Sequence, residues 1–387
     1  MYPELTAAQR ELRGKLRRYF AGLVTPAERR ALLRERHGPL YREVVRRMGR
    51  DGWLGVGWPE EYGGRGFGPV EQHLFADEAA RADVQLPAVT LQTVGPTLQR
   101  FGTPEQKARF LPAILAGEVH FAIGYSEPEA GTDLAALRTT AVRDGDHYVV
   151  NGQKIFTTGG HDADFVWLAV RTDPDAPKHR GISILIVDTS DPGYSWTPII
   201  TCDGAHHVNA TYYSDVRVPA GMLVGEENRG WQLITTQLNH ERVMLGPAGR
   251  IGGLYDRVRE WAAARKTPAG TPLLDLPDVR RALGETLAVV RVNELLNWQV
   301  AASEPGAVAD ASATKVFGSE RIQRAARLLE EIVGRHGDPA DEDTALLAEW
   351  LDVLAKRNLV LTFGGGVNEI QRELIAMFGL GLPRVPR

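Results

Sequence analysis

The chain has 387 residues, a formal net charge of −4 and a single cysteine. Its length suits two or three domains, and 43% hydrophobic with 24% charged residues is ordinary for a globular protein. The charge balance suggests no nucleic-acid footprint, and Cys202 alone excludes an internal disulfide or a cysteine-rich metal site. No apolar run approaches the ~18–20 residues of a membrane span. The Arg and Lys residues of 1–36 are interleaved with Glu4, Glu11, Glu28 and Glu35, which reads as a solvated helix face. Residues Met1–Leu5 lack a secretion pattern, so a cytoplasmic enzyme or binding protein is the default expectation.

Residues 1–120 read as helical, rich in Ala, Leu, Arg and Glu, with Leu12, Leu16 and Tyr19 in helical period. Thr103-Pro104-Glu105 is a helix start: an N-cap, then proline, then an acid. Near residue 121 the pattern changes to short β-rich runs over 147–150, 155–158, 165–170, 182–187 and 210–213. Asp144-Gly145-Asp146 and Asn151-Gly152 are expected to turn the chain between them. Such spacing suggests a compact barrel or sandwich. From about residue 230, apolar-periodic stretches over 230–264, 277–302, 307–335 and 343–360 suggest a four-helix bundle. The expected fold is α+β: a helical domain (1–120), a β domain (121–228) and a helical bundle (229–387).

Four segments bear on chemistry. Tyr125 to Asp133 places hydroxyls of Ser126 and Thr132 on a Gly/Pro-bent backbone, suited to phosphate or heterocycle oxygens, or else an ordinary surface loop. In Asn151–Gly160, alternation puts Phe156 and Thr158 on one strand face, either a wall for a flat cofactor or a plain half-buried strand. On the helix after Gly230, Trp231, Ile234, Leu238 and Leu245 form an apolar stripe with a gap that Glu241 fills. A carboxylate on that seam is desolvated, which raises its pKa and suits a general base, although an ion pair with Arg242 is the alternative. Gly364-Gly365-Gly366 permits close approach of backbone to a ligand, or simply starts a helix; it lacks phosphate-loop flanks. No zinc pattern is present, and the adjacent His206-His207 cannot chelate as an i,i+4 pair.

Taken in order, these pieces resemble the acyl-CoA dehydrogenase family over essentially the whole chain. The likeness is carried by Gly52-Trp53-Leu54-Gly55 with Pro59-Glu60-Glu61-Tyr62-Gly63-Gly64, by Ser126-Glu127-Pro128-Glu129-Ala130-Gly131-Thr132-Asp133, by Asn151-Gly152-Gln153-Lys154, by Asp215-Val216-Arg217-Val218-Pro219, and by Asn368-Glu369-Ile370-Gln371-Arg372. The resemblance implies a helical domain, a β-barrel and a four-helix domain, with FAD as cofactor. It implies that Tyr125, Ser126, Phe156 and Thr158 surround the isoalloxazine ring, Thr158 near N5, and that Thr132 meets the flavin or the CoA phosphates. Most members carry the base just before the Ile-Gln-Arg; the matching position here is Gly365. Others carry it in Leu-x-x-Glu-Arg, which here is Leu238-Asn239-His240-Glu241-Arg242, and Glu241 is the expected base. The backbone of Gly365 is then left to bind the thioester carbonyl.

Two family motifs that reach a neighbouring subunit's flavin are eroded. The first reads Arg265-Lys266-Thr267-Pro268-Ala269 and the second Glu331-Ile332-Val333-Gly334-Arg335. That departure, with Leu91–Leu98 and Ala205-His206-His207, resembles the actinobacterial α2β2 dehydrogenases of steroid side-chain degradation. The likeness implies a steroid acyl-CoA substrate, a second dehydrogenase-like subunit as partner, and an electron-transfer flavoprotein as acceptor. The alternatives are a non-catalytic scaffold subunit of such a heteromer and an oxidase.

Overall fold

A computed structural model describes residues 4–244, 246–302 and 308–383, and of residues 238–244 the backbone alone. The first six helices are α1 (Ala7–Leu23), α2 (Pro26–Arg34), α3 (Pro39–Arg50), α4 (Pro69–Arg81), α5 (Gly95–Phe101) and α6 (Pro104–Ala116). Local chemistry explains their starts. Thr6 and Thr103 close capping boxes with Gln9 and Gln106, and prolines open α3, α4 and α6 where no amide donor is needed. Gly117 ends α6 in the left-handed conformation, with its N–H on the last carbonyls.

Eight strands follow: β1 (Phe121–Gly124), β2 (Thr140–Asp144), β3 (His147–Thr158), β4 (Phe165–Arg171), β5 (Ile182–Asp188), β6 (Tyr194–Ile200), β7 (His206–Pro219) and β8 (Leu223–Val224). They form one sheet in the order β6-β7-β3-β2-β4-β5-β8, with β1 paired in parallel to β4. The sheet curls round its own core. Tyr148 and Val150 of β3, Val166, Leu168 and Val170 of β4, Leu185 and Val187 of β5, and Val216 and Val218 of β7 share one cluster. Their i, i+2 spacing shows one face of each strand turned inward. Val166, Trp167 and Leu168 are wholly buried, so β4 is covered on both faces. Each such side chain contributes roughly 1.5–3 kcal/mol.

The expected turn at Asn151-Gly152 is not made. The chain continues through it as β3, and the ladder to β7 shifts register between Val150 and Gly152. Gly152 absorbs the irregularity at φ 148, and the Asn151 amide exchanges two 2.9 Å bonds with Asp215 across the pair. A dipeptide favourable to turns therefore became a bulge in a long strand.

Among the described residues the chain goes on through α7 (Gly230–Met244), α8 (Ala248–Ala263), α9 (Pro277–Ala302), α10 (Val308–His336), α11 (Glu342–Arg357) and α12 (Asn368–Leu374). The continuous helix expected over 230–264 is thus two helices. Pro247 N-caps α8 in extended conformation, which a helix interior cannot accommodate. The chain divides into two compact units, residues 1–25, 68–85 and 242–387 in one and 26–67 and 86–241 in the other. In the first, α1 packs on α4, where Arg17 pairs with the buried Glu78 at 2.8 Å, and α4 packs on α8, where the Asp77 carboxylate accepts from Gly249 N–H at 2.6 Å. The second holds the sheet with α2, α3, α5, α6 and most of α7.

Candidate functional site

In the sheet-bearing unit, the predicted ring-facing residues gather where the loop after β1 meets β3. Strict alternation would put Lys154, Phe156 and Thr158 on one face. Instead β3 bulges between Lys154 and Thr157, two residues on β3 standing where β7 has one. The extra residue reverses the parity. Lys154 and Thr157 point inward and are buried, whereas Phe156 and Thr158 are both exposed, Phe156 at 62%. Phe156 sits at φ 59, a left-handed conformation that costs a bulky residue about 1–2 kcal/mol. A large ring is thus held open to solvent at the expense of backbone strain, beside a free hydroxyl.

The adjoining loop is anchored from within. Buried Lys154 donates to the Tyr125 carbonyl at 3.1 Å and to the Glu127 carboxylate at 2.8 Å. Glu127 also accepts from Arg138 N–H (2.7 Å) and Thr139 N–H (2.9 Å). Burial draws the Lys154 pKa down to about 8, with Glu127 opposing it. The Ser126 carbonyl takes the Ile155 N–H at 2.9 Å, which locks half-buried Ser126 to the bulge. Tyr125 is buried, and its hydroxyl donates to Gln237 Oε1 on α7; Gln237 Nε2 donates to Thr97 Oγ1 at 3.0 Å. Thr132 is exposed on the same loop.

On α7, Ile234 is buried and Trp231 is half-buried with its ring 4.9 Å from that of His179. Glu241 and Arg242 lie on the helix backbone; their side chains, with that of Leu238, are outside the described residues, as is all of Leu245. In the other unit, Gly365 and Gly366 adopt φ 68 and 91 and join the short helical turn over Asn358–Thr362 to α12. Their conformation serves a sharp loop; it does not begin the helix, which starts after Val367.

Family models match the chain along its length: acyl-CoA dehydrogenase N-terminal domain over residues 6–118, middle domain over 122–216 and C-terminal domain over 228–380. The chain belongs to the acyl-CoA dehydrogenase family. It is 69% identical to acyl-CoA dehydrogenase FadE29 of Mycobacterium tuberculosis, with 100% of each chain covered. Among solved structures, the ChsE4-ChsE5 complex from Mycobacterium tuberculosis has a chain that is 52% identical with a TM-score of 0.91, covering 100% of both. A chain of the Tcur3481-Tcur3483 steroid ACAD is 49% identical, also at a TM-score of 0.91 and 100% coverage of both.

Acyl-CoA dehydrogenases are generally flavin-dependent, and the β3 face fits such a group. A flat heterocycle needs an apolar wall and polar contacts at its edge; the exposed Phe156 ring and the Thr158 hydroxyl offer both. The acyl-CoA dehydrogenase motifs directed at a neighbour's cofactor behave differently. Arg265 turns back to bond Asp341 of its own chain and lies 5.4 Å from the Trp261 ring, and it holds the Asp341 carboxyl at a pKa of about 2. The residues after it close a hairpin through Thr267 N–H to Thr271 O at 2.8 Å. Arg335 pairs likewise with Asp278 and Glu331.

Sequence reasoning missed a histidine cluster behind this strand. Buried Asn209 donates to the Thr157 carbonyl (3.1 Å) and is 3.0 Å from His161 Nδ1, and its Oδ1 is 2.7 Å from His206 Nε2. The rings of His161 and His206 stack at 4.0 Å, with His37 edge-on to His161 at 5.2 Å. Burial and the neighbouring imidazoles draw His37 down to a pKa of about 3. Adjacent His206 and His207 have separate partners, His207 facing Asp203 at 3.3 Å. Among the described residues no group of His, Cys, Asp or Glu is placed to hold a metal ion. His161 and Asn209 meet through the β3–β7 register and His37 comes from the loop before α3, so no local signal joins the three.

Proposed function

We propose that this chain is the base-bearing subunit of a heteromeric, FAD-dependent dehydrogenase that desaturates the short acyl side chain of a steroid-CoA thioester. The observation that carries the reading is the pairing of an exposed, strained Phe156 beside Thr158 with a glycine where most relatives place their base. Full-length similarity to the steroid ACAD chain supports the substrate class, and the two-component neighbours support a partner of the same family. So does the inward pairing of Arg265 and Arg335, which leaves neither side chain extended toward a second cofactor. An exposed apolar run near the C-terminus, Val360, Phe363, Phe378, Leu380 and Leu382, gives a partner subunit a face to cover.

In this reading Tyr125, Ser126, Thr132, Phe156 and Thr158 hold the flavin, which when bound accepts the two electrons and one hydrogen of the desaturation. The amide N–H of Gly365 bonds the thioester carbonyl oxygen, which acidifies the α-carbon. The Glu241 carboxylate removes the α-proton, and Arg242 flanks the acyl group. Placement of the Cα–Cβ bond between carboxylate and ring is the chief contribution of the protein. An electron-transfer flavoprotein is the proposed acceptor, and the cytoplasm the proposed location; no helix among the described residues is long and apolar enough to cross a membrane. The domain limits 1–120, 121–228 and 229–387 belong to the same proposal.

The scaffold alternative is favoured by Gly365 and by the eroded motifs at 265–269 and 331–335, and one experiment separates the two. The chain is co-expressed with its partner and mixed anaerobically with a steroid side-chain acyl-CoA, beside Glu241→Gln. Loss of flavin bleaching in the variant, with flavin still bound, supports the proposal; equal bleaching in both moves catalysis to the partner.

A further inference from the structure

Lys315 on α10 is only 2% exposed, and a buried ammonium is tolerated only where acceptors surround it. Its Nζ donates to the Gly366 carbonyl at 2.8 Å and to Asn368 Oδ1 at 2.7 Å, and it lies 3.4 Å from the Thr362 carbonyl. Beside it, Gln371 Nε2 donates to the Gly365 carbonyl at 3.2 Å, while Ser312 Oγ fixes the same amide through Oε1 at 2.8 Å. Ser319 and the Asn368 side chain complete the set at 3.0 Å. Three carbonyls of one short loop are therefore held by two buried side chains, one on α10 and one on α12.

The backbone consequence is specific. Gly365 and Gly366 both have positive φ, 68 and 91, and in each trans peptide the C=O and the N–H that follows it point opposite ways. Tying the Gly365 carbonyl to Gln371 therefore turns the Gly366 N–H away from α12, Lys315 fixes the same loop at the next carbonyl, and among the described residues neither glycine N–H has a backbone acceptor. Successive free amide donors of this kind form a concavity for an anionic or partly anionic oxygen. An apolar side chain at 315 would fill the volume but would leave the Gly366 and Thr362 carbonyls unpaired.

We propose that Lys315, with Gln371, is a positioning residue for the thioester site: it holds the glycine-loop carbonyls so that the Gly365 and Gly366 N–H groups are fixed to receive the acyl carbonyl oxygen. This rests on the reading of Gly365 given above. Burial lowers the Lys315 pKa to about 8, against the charges of Glu369 on α12 and Glu320 on α10, the latter itself bonded to Arg372 at 2.6 Å. The clamp accordingly weakens as Lys315 loses its proton above that pH.

The test uses the assembled complex and two unreactive ligands: pivaloyl-CoA, a thioester with no α-hydrogen, and neopentyl-S-CoA, the thioether without the carbonyl. Calorimetry gives the ratio of their dissociation constants. Wild type is expected to prefer the thioester at least tenfold, Lys315→Met and the milder Gln371→Leu to bring the ratio near unity with thioether affinity kept, and the wild-type ratio itself to fall between pH 7 and 9. Parallel weakening of both ligands, or a variant ratio equal to wild type, overturns the role of Lys315. No preference in wild type overturns instead the thioester reading of the glycine loop, whatever Lys315 does. Should Lys315→Met fail to fold, Gln371→Leu and the wild-type pH series still decide the question.

Discussion

Lys154 Nζ and the Glu127 carboxylate form a 2.8 Å ion pair from which water is excluded, the two side chains being 0% and 8% exposed. The pair ties β3 to the loop that carries Tyr125 and Ser126. Removing one partner leaves a buried uncompensated charge, a loss of about 3–5 kcal/mol. Glu127→Gln is expected to lower unfolding free energy by that amount in urea titration and to shed flavin. Adding Lys154→Met should recover part of the loss by removing the uncompensated ammonium, while the substituted amide keeps one acceptor oxygen for only one of the Arg138 and Thr139 backbone N–H groups.

Phe156 offers a trade of stability against function. Its backbone at φ 59 suits glycine far better than phenylalanine. Phe156→Gly should therefore leave the flavin-free protein no less stable, and relief of strain offers a gain of about 1 kcal/mol. The same variant should lose flavin on gel filtration, read as the ratio of visible to ultraviolet absorbance. A less stable apoprotein would contradict the strain; undiminished flavin would contradict the wall.

The histidine cluster predicts acid sensitivity. Burial lowers His37 to a pKa of about 3 and His120 to about 4, each from 6.5. Above pH 6.5 both states are neutral and the native advantage is complete. As pH falls toward 4 the unfolded chain takes protons that the folded one refuses, and stability drops by a few kcal/mol. Denaturation at pH 7, 6, 5 and 4 should show this decline, and His37→Gln should flatten it.

Arg265 tests the division between subunits. Its bond to Asp341 is half-exposed, so Arg265→Ala should cost no more than about 1 kcal/mol. If Arg265 serves only its own chain, flavin bound per complex stays unchanged. A fall in flavin content would mean that it reaches a second site after all.

Much of this architecture is legible in the residues. Apolar periodicity marks α9, α10 and α11 to within a residue or a few, because long amphipathic helices repeat their signal many times. Thr103, Pro104 and Glu105 announce the start of α6 by a local mechanism, which the structure completes with Gln106. The break before α8 is written in Gly246-Pro247 but is hidden by the apolar residues around it. Phe156 shows the limit of the local pattern: alternation from buried Tyr148, Val150 and Lys154 would turn it inward, and only the bulge against β7, a strand far along the chain, turns it outward. The clamp of Lys315 on Gly366 is unreadable for the same reason, since it depends on which helix passes behind the loop.

The bulge between Lys154 and Thr157 also shapes how this segment can change in descent. A strand has two faces, so an extra residue taken up without a bulge would exchange them for everything beyond it. Here the bulge absorbs the extra residue: losing Ile155 would restore plain alternation, with the ammonium still buried and Thr158 still outside. What such a deletion would take away is the left-handed residue itself, and with it the angle at which the Phe156 ring is presented.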